Sequence, residues 1–171
     1  MRFALVAGDL GNGTRGPLTV DLQPGDILLT RNAGGERENR SPGWFNHAAM
    51  YVGDGIVVEA QMGQGVIKSE VGEFLERYPI IRVRRLVKGA EQAAEEAKQM
   101  VGLSYRRLSS MFLRQRRDER GVNCVSVVRR AVKRATGSDP GWRRPDDLDL
   151  QSRRLRTVGE KGLDTTGVPS C

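Results

Sequence analysis

The sequence predicts an α+β fold: an antiparallel sheet packed on a helix that bears a cysteine at its N-terminus. Three observations predict it. Two short apolar runs, His47 to Val52 and Ile56 to Ala60, flank Gly53-Asp54-Gly55, which is a hairpin signal. An apolar stripe at Cys124, Val125, Val128, Val132 and Ala135 recurs at helical spacing, with Asn123 placed to cap it and Gly137 to end it. The 171 residues, 38% of them hydrophobic, suffice for one core and are too few for two.

Taken in order, Phe3 to Ala7 reads as a strand and Gly8 to Pro17 as a glycine-rich loop. Gly11, Gly13 and Gly16 match G-x-G-x-x-G, but Pro17, Thr19, Val20 and Pro24-Gly25 follow where a dinucleotide fingerprint must open a helix, so the match is set aside. Asp26 to Thr30 is a short strand, and Arg31 to Gly43 is a polar loop of the kind that rims sites. After the hairpin, Ser69 is placed to cap a helix over Glu70 to Arg77, and Ile80 to Leu86 is a further strand. Glu91 to Val101 sets Ala93, Ala94, Ala97, Met100 and Val101 at helical spacing, with Gly102 as the stop. Beyond Pro140 the apolar periodicity fades, which predicts loop and then a tail with little order after about Arg156. The domain expectation is therefore an N-terminal strand and loop over 1–21, a main domain over 22–150 and a poorly ordered tail over 151–171.

Charge is distributed unevenly. The chain carries a net +7, and the segment from Arg106 to Arg134 holds ten basic and two acidic residues, so the remainder is close to neutral. Such a patch suits an anionic partner, nucleic acid or an anionic surface, with Arg114, Arg116 and Arg117 as its candidate contacts. A solvated helix face accounts for the same charges, and no nucleic-acid motif accompanies them. Apolar runs such as Phe3 to Ala7 fall far short of the roughly 20 residues that cross a bilayer, so no transmembrane segment is expected. No secretory pattern opens the chain, and two cysteines, Cys124 and Cys171, cannot build a disulfide framework. A reducing, cytoplasmic setting is expected. His47 is the only histidine and there is no C-x-x-C pair, so the usual zinc sites lack ligands; no metal and no other cofactor is expected.

The chemistry centres on Cys124. In the first turn of a helix it lies beside unpaired backbone N–H groups and the positive end of the helix dipole, both of which favour thiolate over thiol. A small buried cysteine on the core stripe is the structural alternative. His47 is the one imidazole available to it. Glu59, among Val57, Val58 and Ala60, is a carboxylate whose burial is costly without a hydrogen-bond partner. If Gly53-Asp54-Gly55 is a three-residue loop, Val52 pairs with Ile56, which sets His47 opposite Gln61 and one diagonal step from Glu59 on the same face. A two-residue Asp54-Gly55 loop sets them on opposite faces, because register has period 2. Cysteine, imidazole and carboxylate together supply the nucleophile, base and orienting group of an acyl-transfer site.

Pro24-Gly25-Asp26-Ile27-Leu28, Asn46-His47-Ala48-Ala49-Met50-Tyr51-Val52-Gly53-Asp54-Gly55, Val58-Glu59-Ala60 and Asn123-Cys124 together resemble the circularly permuted branch of the NlpC-type papain-like cysteine hydrolases. That branch includes YiiX-like and lecithin:retinol acyltransferase-like enzymes. The likeness runs from about Leu22 to Leu148, in the order His, acid, Cys. It implies a permuted papain-like fold with Cys124 as nucleophile, His47 as general base and acid, and Glu59 as the group that fixes the imidazole tautomer. Gly102-Leu103-Ser104-Tyr105 is similar to the family's G-x-P-Y segment, which implies that Tyr105 lies near the nucleophile as a candidate oxyanion or substrate contact. Val125 stands where the family usually has a small residue, and Asn123 where it has an aromatic residue or Asp. The resemblance implies an amide substrate, in a peptide or a cell-wall peptide, cleaved through an acyl-thioester. Acyl transfer from a lipid or thioester is the alternative on the same site, and a non-catalytic module that binds through the basic patch is the alternative from another class.

Overall fold

A computed structural model describes residues 20–31, 43–105, 122–151 and 153–162. The expected strand over Phe3 to Ala7, the glycine-rich loop, most of the polar loop after Arg31, and Arg114, Arg116 and Arg117 lie outside the described residues.

The chain runs β1 (Ile27–Arg31), β2 (His47–Gly53), β3 (Ile56–Gln61), β4 (Gly65–Glu70), α1 (Val71–Arg77), β5 (Ile80–Leu86), α2 (Ala90–Lys98), α3 (Cys124–Thr136), α4 (Pro145–Asp149) and β6 (Leu155–Lys161). The six strands form one sheet in the order β4-β3-β2-β1-β5-β6, with every pair antiparallel. The central strands are apolar at nearly every position because both faces are covered. On one face Ile27, Leu29, Ala48, Met50, Val52, Val58 and Ala60 pack with Ala93, Ala94 and Ala97 of α2 and with Val125, Val128, Ala131 and Val132 of α3. On the other, Leu28, Ala49, Tyr51, Val57, Ile81 and Val83 pack with Val71, Phe74 and Leu75 of α1. This is the α+β arrangement expected, with the cysteine-bearing helix against the sheet.

Several sequence expectations are corrected. Ser69 does not cap α1; it is the penultimate residue of β4, a strand that the sequence does not announce, and its hydroxyl is used elsewhere. β4 has one apolar pair, Val66-Ile67, and runs straight into a helix, so it shows neither alternation nor a closing turn. Helix α2 ends at Lys98 rather than Val101, where Met100 and Val101 donate to the carbonyls of Ala97 and Lys98 and tighten the chain into a turn. The described residues between Pro140 and Gly162 are not loop and tail: Trp142, Leu148 and Leu155 are buried in the main core, and β6 pairs with β5; residues 163–171 lie outside the described residues. β6 carries few apolar residues. It is held by ladder bonds and by side chains of β5, Arg82 to Glu160 at 2.7 Å and Arg84 to Thr157 at 2.6 Å, contacts that periodicity cannot reveal. Among the described residues no helix is long and apolar enough to cross a membrane.

Candidate active site

The hairpin of β2 and β3 brings imidazole and carboxylate together by a route that combines both sequence alternatives. The turn is the two-residue Asp54-Gly55, with φ of 53° and 74°, and positive φ at both central residues is the hairpin-favoured conformation. Gly53 accordingly pairs with Ile56, not Val52. A bulge then absorbs Val52, so Tyr51 pairs with Val57 and Ala49 with Glu59. The extra residue restores the register that a three-residue loop gives, and His47 and Glu59 share a face.

His47 Nε2 lies 2.8 Å from Glu59 Oε2. The chain entering β2 is fixed just before the imidazole: Phe45 N–H donates to Asp146 Oδ1 of α4 at 2.9 Å, and Asn46 N–H to the Thr30 carbonyl at 3.0 Å. On the α1 side the ring stacks on Tyr78, with centroids 5.6 Å apart, and Phe74 is 6.3 Å away. Glu59 has no solvent exposure and gathers four partners. Its Oε2 faces His47, while Oε1 accepts from Ser69 Oγ at 2.6 Å, Arg77 Nη1 at 2.8 Å and Gln61 Nε2 at 2.9 Å. The cost of burying this carboxylate is thus met by hydrogen bonds and two cationic neighbours.

Cys124 begins α3, where Asn123 Oδ1 accepts from Ser126 N–H at 2.8 Å and Ser126 Oγ accepts from Asn123 N–H at 2.7 Å, a closed capping box. The cap sets the cysteine in the first helical turn. Its free, half-buried thiol is hydrogen-bonded to the His47 side chain, and the backbone N–H groups of Ala48 and Val125 donate to the sulfur. Burial disfavours the thiolate, but the imidazole's hydrogen bond and charge and those two N–H groups outweigh it, and the Cys124 pKa is lowered. Burial likewise presses the His47 pKa down, yet hydrogen bonds and charges from Cys124 and Glu59 raise it to about 9. Burial pushes Glu59 up, while His47, Ser69 and Gln61 carry its carboxyl down to about 2. All three shifts favour the ionised forms, a thiolate facing an imidazolium backed by a carboxylate.

Tyr105 comes close through the backbone. Gly65, at φ +86°, leaves room for the Leu103 carbonyl, which a Cβ would meet at 2.4 Å. That carbonyl accepts from Val66 N–H at 2.8 Å, and Tyr105 then bridges to Val122, two residues before Cys124. In the described part of the basic patch, Arg129 and Lys133 share Asp139, and Arg134 reaches Glu96. Ser69, Gln61, Arg77 and Tyr78 belong to the site and were not among the residues that the sequence pointed to. With β4 recognised as a strand, Ser69 would have been legible, since Ile67 lies across from Glu59 and Ser69 is two residues on, on the same face. Among the described residues no group of three or more His, Cys, Asp or Glu side chains is arranged to hold a metal ion.

The model of a permuted papain-like amidase family, YaeF/YiiX or C92, matches residues 21–139. Among solved structures, the chain is similar to the crystal structure of the metalloprotein YiiX from Escherichia coli O157:H7, at 19% identity and a TM-score of 0.51, over 70% of this chain and 69% of that one. This likeness is one of fold. No curated protein matches the chain.

Proposed function

The chain belongs to the permuted papain-like amidases of the YaeF/YiiX family, and from that premise we propose that it is a cysteine amidase with Cys124 as nucleophile, His47 as general base and acid, and Glu59 as the group that orients the imidazole. One observation carries the reading: the hydrogen-bonded sequence Cys124, His47, Glu59, assembled from three separate elements, α3, β2 and β3. With Nε2 held by Glu59, Nδ1 is the nitrogen left for the thiol. The thiolate attacks the substrate carbonyl carbon, the S–C bond forms, and the carbonyl electron pair moves onto oxygen. As the oxyanion collapses the C–N bond breaks, and the departing amine takes the imidazolium proton. Water then gives a proton to the imidazole and adds to the thioester; the S–C bond breaks, and acid and thiolate are released. Tyr105 is the proposed contact for the oxyanion or the substrate, supported by the Val122 bridge. An amide in a peptide is the substrate class, the cell-wall peptide included.

The test is a trapped acyl-enzyme. Incubation with p-nitrophenyl acetate should add one acetyl group to Cys124, read by intact mass and peptide mapping, and Cys124→Ala should take none. Acetylation at surface lysines alone, equal in the two proteins, overturns the proposal.

A further inference from the structure

We infer that Arg77, in the last turn of α1, is a positioning residue that limits how tightly the His47 imidazole holds its proton, acting through Glu59; this rests on the amidase reading above. Arg77 Nη1 donates to Glu59 Oε1 at 2.8 Å, on the carboxylate oxygen that His47 does not use. Its guanidinium also lies 5.8 Å from the ring centre of Tyr78 and hydrogen-bonds that side chain, and Tyr78 is the ring on which His47 stacks. Two contacts of one residue therefore converge on the imidazole, one through the carboxylate and one through the stacked ring. Neither touches the reacting atoms.

The charges explain what this does. Among the described residues, the titratable groups around the imidazole are Glu59 from β3, Cys124 from α3 and Tyr78 at the end of α1, with Arg77 behind Glu59 and Tyr78. On its outer side Arg77 opens to a groove of about 370 Å³ whose charged lining is Lys68, Glu70 and Glu73. A carboxylate that no other charge shares holds the imidazolium's proton more firmly and so slows its passage to a leaving amine. Arg77 places a second positive charge on the same carboxylate. It keeps Glu59 ionised while diluting its pull on His47. Ser69 and Gln61 also donate to Oε1 but bring no charge, so they hold the geometry and leave the charge balance to Arg77.

The test uses the fact that His47 is the only histidine in the chain, so its imidazole signals can be followed by NMR across pH without assignment ambiguity. Arg77→Gln removes the charge and should raise the His47 midpoint by about half a pH unit. Arg77→Met, a second uncharged variant whose stem keeps the packing over Tyr78, should do the same. Arg77→Lys keeps the charge and should return the midpoint to the wild-type value. A purely structural role predicts lower thermal stability with an unmoved midpoint, and that result, or a downward shift, overturns the inference. Failure of the amidase reading would look different: wild-type His47 would titrate near its ordinary value and Cys124→Ser would leave that midpoint unchanged, whatever the Arg77 variants do.

Discussion

His47 Nε2 meets Glu59 Oε2 at 2.8 Å because Ala49, not His47, lies directly across β3 from Glu59. The imidazole reaches the carboxylate on the diagonal, and that geometry depends on the bulge at Val52. Replacing Glu59 by Gln keeps a side chain of the same size but removes the charge that supports the imidazolium. Both the thiolate fraction at neutral pH and the rate of acylation by p-nitrophenyl acetate should fall, by about 10- to 100-fold. Stopped-flow or steady-state assay of p-nitrophenol release checks this, and an unchanged rate would remove Glu59 from the mechanism.

The same carboxylate makes stability depend on acidity. Its folded pKa is about 2 against an ordinary value of 4.5, so the stabilisation it contributes is fully present above about pH 4.5 and is lost as the pH falls through about 2. The gap in unfolding free energy between the wild type and Glu59→Gln should therefore narrow by roughly 2–3 kcal/mol on going from pH 5 to pH 2. Urea denaturation at intervals across that range measures it. A gap that stays constant would mean that Glu59 is not held ionised.

Gly55 offers a test of the turn itself. Its φ of 74° lies in the left-handed region, while the nearest atom that an added Cβ would meet is Glu70 Oε2 at 3.9 Å. Space is open, so the cost of Gly55→Val is conformational, of order 1–3 kcal/mol. Thermal unfolding should show the loss, and Gly55→Asn, whose side chain tolerates positive φ, should recover much of it.

The hairpin also shows how far the sequence could be read. Gly53-Asp54-Gly55 announced a reversal, and the side-chain face of His47 relative to Glu59 followed from one of two loop lengths. The bulge was not legible, because nothing in Tyr51-Val52-Gly53 distinguishes a residue that pairs from one that is skipped. Helix α3 was readable to its cap, since Asn123, the apolar stripe and Gly137 are local signals that agree. The partners of Glu59 were not: Arg77 is 18 residues away and Ser69 ten, and only the folded sheet brings them to one oxygen. β6 was missed for the same reason. Its stability comes from β5, not from its own pattern.

At the start of β1, Asp26 is fully buried and takes a bidentate pair from Arg85, Nε to Oδ1 at 2.7 Å and Nη2 to Oδ2 at 2.8 Å. Gln23 N–H donates to Oδ2 as well. Arg85→Ala would strand a charge in the interior and should cost about 3–5 kcal/mol. Arg85→Lys keeps the charge but not the planar fork, and should fall between the two. Chemical denaturation separates the three proteins, and a loss below about 1 kcal/mol for Arg85→Ala would mark the pair as a surface contact.

Whether Cys124 is a thiolate activated by His47 is tested most directly by the pH dependence of alkylation. Iodoacetamide labelling of the full chain, with Cys124 and Cys171 read separately by peptide mapping, supplies an internal comparison. Cys124 should react well below pH 8, on a plateau set by its ion pair, and His47→Ala should abolish that low-pH reactivity while leaving Cys171 unchanged. If both cysteines instead rise together through a single inflection near 8.5, and His47→Ala alters neither, Cys124 is an ordinary thiol and the catalytic account is contradicted.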